Sequence, residues 1–110
     1  MANPTLTNYL GATLSGLISA NASAIATDFG ILPASATDPD KLATAILERI
    51  RDWLIADGTN DPGLTVENFN NGAYTKVLDI NRLNQVGYQL NFTTWNTDAN
   101  PPTPNPDTVV

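Results

Sequence analysis

Three groups of residues in this 110-residue chain have types and spacings that chemistry can use. The first is Asp57-Gly58-Thr59-Asn60-Asp61, a run of oxygen donors resembling a calcium loop. Such a loop needs alternating Asp/Asn ligands ahead of its glycine and a bidentate Glu at its twelfth position. Neither is present, and an Asx turn closing a helix accounts for the run. The second group is the carboxylate pair Asp38 and Asp40. Pro39 between them marks a helix start instead, with Asp38 as N-cap, Pro39 at the first helical position and Asp40 favouring the positive dipole end. The third is the abundant Ser and Thr hydroxyls. They lack both a Gly-x-Ser-x-Gly turn and a His to take the proton from a nucleophile.

The remaining candidates are weaker. Glu48, Glu67 and Asp79 have no partner in sequence that points to acid/base work. Gly72 and Gly87 are isolated, so no phosphate-cradling loop is expected. Asn21-Ala22-Ser23 and Asn91-Phe92-Thr93 match the glycosylation sequon, as chance produces in a chain rich in Asn, Ser and Thr. Trp53, Tyr88, Phe92 and Trp95 are expected to pack the core, because a small domain needs its aromatics inside. Trp95, at a strand end, is the one most suited to a contact.

Composition narrows the field further. There is no His and no Cys, which removes disulfides, Cys/His zinc sites, His-based catalysis and most haem ligation. No catalytic residue, cofactor or metal is therefore expected. Net charge is −6, and the five bases, Lys41, Arg49, Arg51, Lys76 and Arg82, are scattered. Nucleic-acid binding and docking on an anionic membrane need clustered cations, so neither is expected.

The elements that would position any site follow from periodicity. Met1 to Thr27 contains no side chain charged at neutral pH; the first is Asp28. Within it Leu6, Leu10, Leu14, Leu17, Ile18, Asn21, Ile25 and Phe29 recur at helical spacing. The spacing predicts a helix over roughly 4–29, opened by Asn3-Pro4, closed by Gly30 in the left-handed conformation with Ile31 as its apolar contact, and open to a break near Asn21. Nine Ser, Thr or Asn between Thr5 and Thr27 argue against a membrane span, and no basic residues precede it as in a secretory leader. Leu32 to Thr37 reads as a connector.

A second helix runs from Asp38-Pro39 to Gly58, with Leu42, Ile46, Ile50, Trp53 and Leu54 as its stripe, widened by Ala43 and Leu47, and with Arg49 and Asp52 near enough to pair. The two helices are expected to form an αα-hairpin. For residues 65–71, either Thr65 caps a helical turn carrying Val66 and Phe69, or Asn71-Gly72 makes a type I′ turn; the apolar spacing favours the helical turn. Val86, Tyr88, Leu90 and Phe92 alternate with polar residues, the strongest strand signal present. This strand is expected to pair with Thr75–Ile80 as an antiparallel hairpin turning near Asn81–Gln85, with the second helix docked on its apolar face and Trp53 in the core. From Asn96 onward, Pro101, Pro102, Pro104 and Pro106 predict an extended polyproline-like arm.

The expected fold class is therefore α+β: an N-terminal αα-hairpin packed on a small antiparallel β-hairpin in one domain over 1–96, with an arm over 97–110. The uncharged face of the first helix (Gly11, Ser15, Ser19, Ala22), Trp95 and the arm (Pro101, Pro102, Pro104, Val109, Val110) are the expected contacts with neighbouring chains. A helix with no outer charges is suited to being covered on more than one side. These features point to a non-enzymatic structural subunit of a protein assembly, a homo-oligomer or a partner of capsid or tail proteins, such as a small tailed-phage virion protein (head decoration or cement, neck or tail) or a component of a related injection machine. The alternative is a free-standing acidic interaction module or inhibitor that masks a basic partner. The expected location is the virion, otherwise the cytoplasm.

Overall fold

The computed structural model describes residues 3–57, 63–66, 74–97 and 104–109. It is a mixed helix-and-strand chain, with the helices first and two small antiparallel sheets after them. It divides into two compact units, Met1–Ile50 and Arg51–Val110.

The first unit is helical. The predicted first helix is real but broken twice, into α1 (Leu6–Leu10), α2 (Ala12–Ala20) and α3 (Ala22–Phe29). The break at Asn21 is as expected. The break at Gly11 is a correction: its φ of 85° suits glycine and not a helix, so Gly11 ends α1 and starts α2. The start also differs. Thr5, not Asn3, is the N-cap, and it forms a capping box with Asn8, whose side-chain oxygen accepts from the Thr5 N–H at 2.9 Å while the Thr5 hydroxyl accepts from the Asn8 N–H at 3.2 Å. Gly30 closes α3 in the left-handed region, and the Ile31 N–H reaches the Ala26 carbonyl at 3.0 Å, the wide bond of a Schellman end. The connector contains a short α4 (Pro33–Ala36), started by Pro33 at its first position.

The second predicted helix is α5 (Pro39–Asp57). Asp38 caps it as expected, its carboxylate accepting from the N–H groups of Asp40 and Lys41, each at 3.1 Å. Leu42 is 1% exposed and packs with Leu6 and Ile18; Leu10, Ile25, Phe29 and Ile46 surround them. Ala26 and Ala36 complete the buried apolar set among the described residues. Leu14 and Leu17 belong to the predicted stripe yet are exposed, because the two breaks re-aim α2 so that Ile18 alone of its side chains is buried. Arg49 does not pair with Asp52. Its guanidinium donates to the Asp28 carbonyl and lies 4.7 Å from the Phe29 ring centre, an arrangement that ties α5 to the end of α3.

The second unit holds two ladders. β2 (Thr75–Val77) pairs antiparallel with β3 (Gly87–Gln89) in the register Thr75↔Gln89, Lys76↔Tyr88, Val77↔Gly87, the hairpin that alternation predicts. β1 (Leu64–Val66) pairs antiparallel with β4 (Phe92–Thr94), Leu64 facing Thr94 and Val66 facing Phe92. This second ladder corrects two expectations. Residues 64–66 are a strand and not the start of a helical turn. The apolar run 86–92 is two short strands that change partner at Leu90 and Asn91. Phe69 and the Asn71-Gly72 turn lie outside the described residues. Trp53 is 56% exposed and is not core. In its place Arg51, 4% exposed, sets its guanidinium 3.9 Å from the centre of the Tyr74 ring, which in turn meets Tyr88 edge-on at 5.8 Å.

Candidate interaction surfaces

The sequence-predicted contact residues are divided between the two units. On the helices, Ser15 and Ser19 sit one turn apart on α2, Gly11 at its N-cap and Ala22 at the first position of α3. Gly11 and Ser19 are exposed, Ser15 and Ala22 half-buried. Ser15 is tied locally, its hydroxyl accepting from Thr7 Oγ1 at 3.2 Å, which fastens α2 to α1 across the Gly11 break. Tyr9, Leu14 and Leu17 are exposed on these same two helices. The surface is therefore neutral and partly apolar, and the Asn21 kink places Ala22 on the start of a separate helix.

Trp95 is half-exposed and already engaged within its own unit. Its backbone N–H donates to the Gly63 carbonyl at 2.8 Å and its indole N–H to Thr65 Oγ1 at 3.0 Å. It extends the β1–β4 ladder, satisfying its polar edge while leaving ring surface in solvent. Of the predicted arm, Pro101, Pro102 and Val110 lie outside the described residues. The described part departs from a polyproline arm. Pro106–Thr108 forms a 3-10 turn capped by Asn105, and Val109 bridges back to Asn96. The Asn96 side-chain oxygen accepts from the Asn105 N–H and the Thr108 hydroxyl, both at 3.2 Å. Pro104 is exposed and Val109 is 37% exposed. Asn96 is the residue that composition could not single out: its side-chain amide, with the Thr97 N–H that donates to the Thr108 carbonyl at 3.1 Å, ties residues 105–109 to residues 96 and 97.

A shallow hollow of about 320 Å³ on the first unit is lined by Ile31, Asp40, Lys41, Thr44, Ala45 and Glu48. At its edge the Tyr9 hydroxyl donates to the Asp40 carboxylate at 2.5 Å. That bond, then desolvation and the charges of Asp40 and Asp38, raise the Tyr9 phenol above its ordinary 10.0. An ionised phenolate can neither donate this bond nor sit comfortably beside the carboxylate. The contribution to folding is thus present below pH 10 and lost as pH rises through the raised value. Spectrophotometric titration should place Tyr9 above an unfolded reference, and Asp40→Asn should return it toward that reference. An unchanged midpoint in Asp40→Asn would show that the bond does not persist in solution.

The surface that sequence reasoning missed is the β2–β3 hairpin. Leu78, Ile80 and Leu83, which follow β2, are 80%, 83% and 82% exposed. Val77 and Val86 are exposed as well. The signal was legible: three aliphatic residues stand among Asp79, Asn81, Arg82 and Asn84, where a turn ordinarily carries polar side chains. A hollow of about 660 Å³ opens beside them, lined by Val77, Asp79, Arg82, Gln85, Val86 and Gly87. Among the described residues no three His, Cys, Asp or Glu side chains gather to hold a metal ion, and no helix is long and apolar enough to cross a membrane. No protein-family model, no curated protein and no solved structure matches the chain.

Proposed function

We propose that this protein is a non-enzymatic structural subunit of a protein assembly, of the kind that decorates or joins parts of a tailed-phage virion or a related injection machine. One observation carries the reading. Helix α2 has no charged side chain, buries only Ile18 of its nine residues, and leaves Leu14 and Leu17 exposed. A helix that faces water normally carries charge on its outer face. This one presents aliphatic and small neutral groups, which cost little to desolvate when another chain covers them. The absence of His and Cys from the sequence agrees with a role without catalysis, because the usual proton carriers and soft metal ligands are missing.

Light scattering on the purified chain tests this. A native mass well above that of one chain is expected, and the Ser15→Glu/Ser19→Glu double variant should lower it while far-ultraviolet circular dichroism stays helical. A double variant that still reaches the native mass would show that the α2 surface is simply solvated. Truncating the chain end is a poorer probe, since Asn105, Thr108 and Val109 hold Asn96 and Thr97 within their own unit. A monomer at every concentration would favour the acidic interaction module, for which the net charge of −6 is the supporting feature.

A further inference from the structure

Gly11 is a one-residue hinge between two helices. Its φ of 85° and ψ of 161° lie in a region that glycine alone occupies at low cost. Space does not require glycine there, since a Cβ at Gly11 would meet nothing within 4 Å; the backbone conformation does. The apolar pattern disagrees with the kink. At about 100° per residue, Leu6, Leu10, Leu14 and Leu17 fall on one face of a single straight helix. The kink splits that face, burying Leu6 and leaving Leu14 45% and Leu17 58% exposed. The hold on α1 is slight: Leu6 packed with Ile18 and Leu42, Leu10 beside them, and the Tyr9–Asp40 and Thr7–Ser15 bonds. We propose that α1 exchanges between two copies of the chain. Gly11 turns helical, α1 and α2 join as one helix over 6–20, and the α1 of each copy takes its seat on the α5 of the other.

The occupant is set by the contacts themselves. The seat of Ile18 and Leu42, with Asp40 at its edge, already has a segment that fits it, and a second copy carries the identical segment. The contacts of α1 with α5 are remade between chains, so the cost of exchange is mainly the freedom lost when two chains associate. A short hinge held in a strained conformation favours such exchange. Two further features act in the same direction. Straightening removes the positive φ at Gly11 and gives the first N–H groups of α2 the carbonyl partners that a helix start lacks. It also carries Leu14 and Leu17 toward the partner, because they share the face on which Leu6 and Leu10 meet the seat. The Thr7–Ser15 hydroxyl bond is lost, since one straight helix sets the two residues about 12 Å apart along its axis. That pair is exposed, and water replaces the bond at little net cost.

This inference rests on the assembly reading for the statement that copies associate, and it uses the leucine face of α2, opposite Ser15 and Ser19. Alanine at Gly11 penalises the kinked state and not the straight one. Gly11→Ala is therefore expected to raise the dimer association constant of the full chain about a hundredfold by sedimentation, about tenfold for each hinge relieved. Gly16→Ala, in the interior of α2, should leave it unchanged, because residue 16 is helical in both states. The chain has no cysteine, so single cysteines report which α1 sits on which α5. Tyr9→Cys and Asp40→Cys chains, mixed and equilibrated at high concentration, should be joined by a short bismaleimide into covalent dimers, well above either chain treated alone. If Gly11→Ala fails to fold, this mixture decides alone. A mixture that links no better than its separate components, or a folded Gly11→Ala chain with the parental association constant, overturns the exchange. If linking is absent while Ser15→Glu/Ser19→Glu lowers a multimeric parental mass, the assembly reading stands without exchange. A parent chain that is monomeric at all concentrations, with linking absent, overturns both.

Discussion

Replacing Leu42 with Ala is expected to lower the unfolding free energy by about 2–5 kcal/mol, the range for a fully buried aliphatic side chain truncated in place. Leu42 is 1% exposed and is the one large side chain so deeply buried among the described residues. It meets Leu6 of α1 and Ile18 of α2 from the first turn of α5. Each of those helices contributes a single buried residue, so Leu42 is where short segments with weak intrinsic helix preference are held together. Helices of five to nine residues do not persist without such packing. Since whole domains are stable by only about 5–15 kcal/mol, the loss should be large enough to melt α1 and α2. Leu17→Ala, on the exposed side of α2, should change stability by no more than about 0.5 kcal/mol. Urea titration followed by circular dichroism measures both. Equal effects for the two variants would show that Leu42 is not the centre of this core.

What the sequence made legible, and what it hid, follows from the range of the forces involved. Helix α5 and its Asp38 cap are local: a stripe at helical spacing and an Asp-Pro start specify them without reference to the rest of the chain. The β2–β3 pairing is nearly as local, since alternation and a short connection define it. The break at Gly11 was hidden because glycine in a helix interior and glycine at a helix break look alike in sequence. The energetic difference lies in whether the flanking Leu residues find a common core, and Leu14 and Leu17 do not. The β1–β4 ladder was hidden for a different reason. Three residues are too few to show a period, and the partner of Leu64 is Thr94, thirty positions away by their numbers. The apolar run 86–92 gave no sign that Leu90 and Asn91 divide it between two ladders. For the predicted contact surface, composition identified an uncharged helix correctly but placed its apolar residues inside. The exposed hairpin end went unread because Leu78 and Ile80 were counted within the strand over 75–80 and Leu83 within the turn, and no face was assigned to any of them.

The exchange of Trp53 for Arg51 leads to the second large expected effect. Helical spacing put Trp53 on the buried stripe, yet the buried side chain at that end of α5 is Arg51. An arginine tolerates this because its long aliphatic stem packs as apolar surface, while its flat guanidinium stacks on an aromatic face. Arg51 does both, with its charge centre 3.9 Å from the centre of Tyr74, and Tyr74 carries the contact edge-on to Tyr88 of β3. The ion pair of Arg51 with Asp52 is long, 3.7 Å, and the Asp52 side chain is 69% exposed, so it contributes at most about 1 kcal/mol. The stacked contact is worth more than that pair, about 2 kcal/mol for a desolvated cation on a ring. Arg51→Ala is therefore expected to cost about 2–3 kcal/mol, the stem packing included. Arg51→Lys should recover little of it, because an ammonium has no plane to stack. Tyr74→Leu should remove most of the same energy, and a double-mutant cycle should show the two losses to be shared and not additive. Hydrogen exchange at the amides of Lys76 and Tyr88, which face each other across β2–β3, should rise in Arg51→Ala. If Arg51→Ala and Tyr74→Leu were strictly additive, the Arg51–Tyr74–Tyr88 stack would not be what steadies the hairpin.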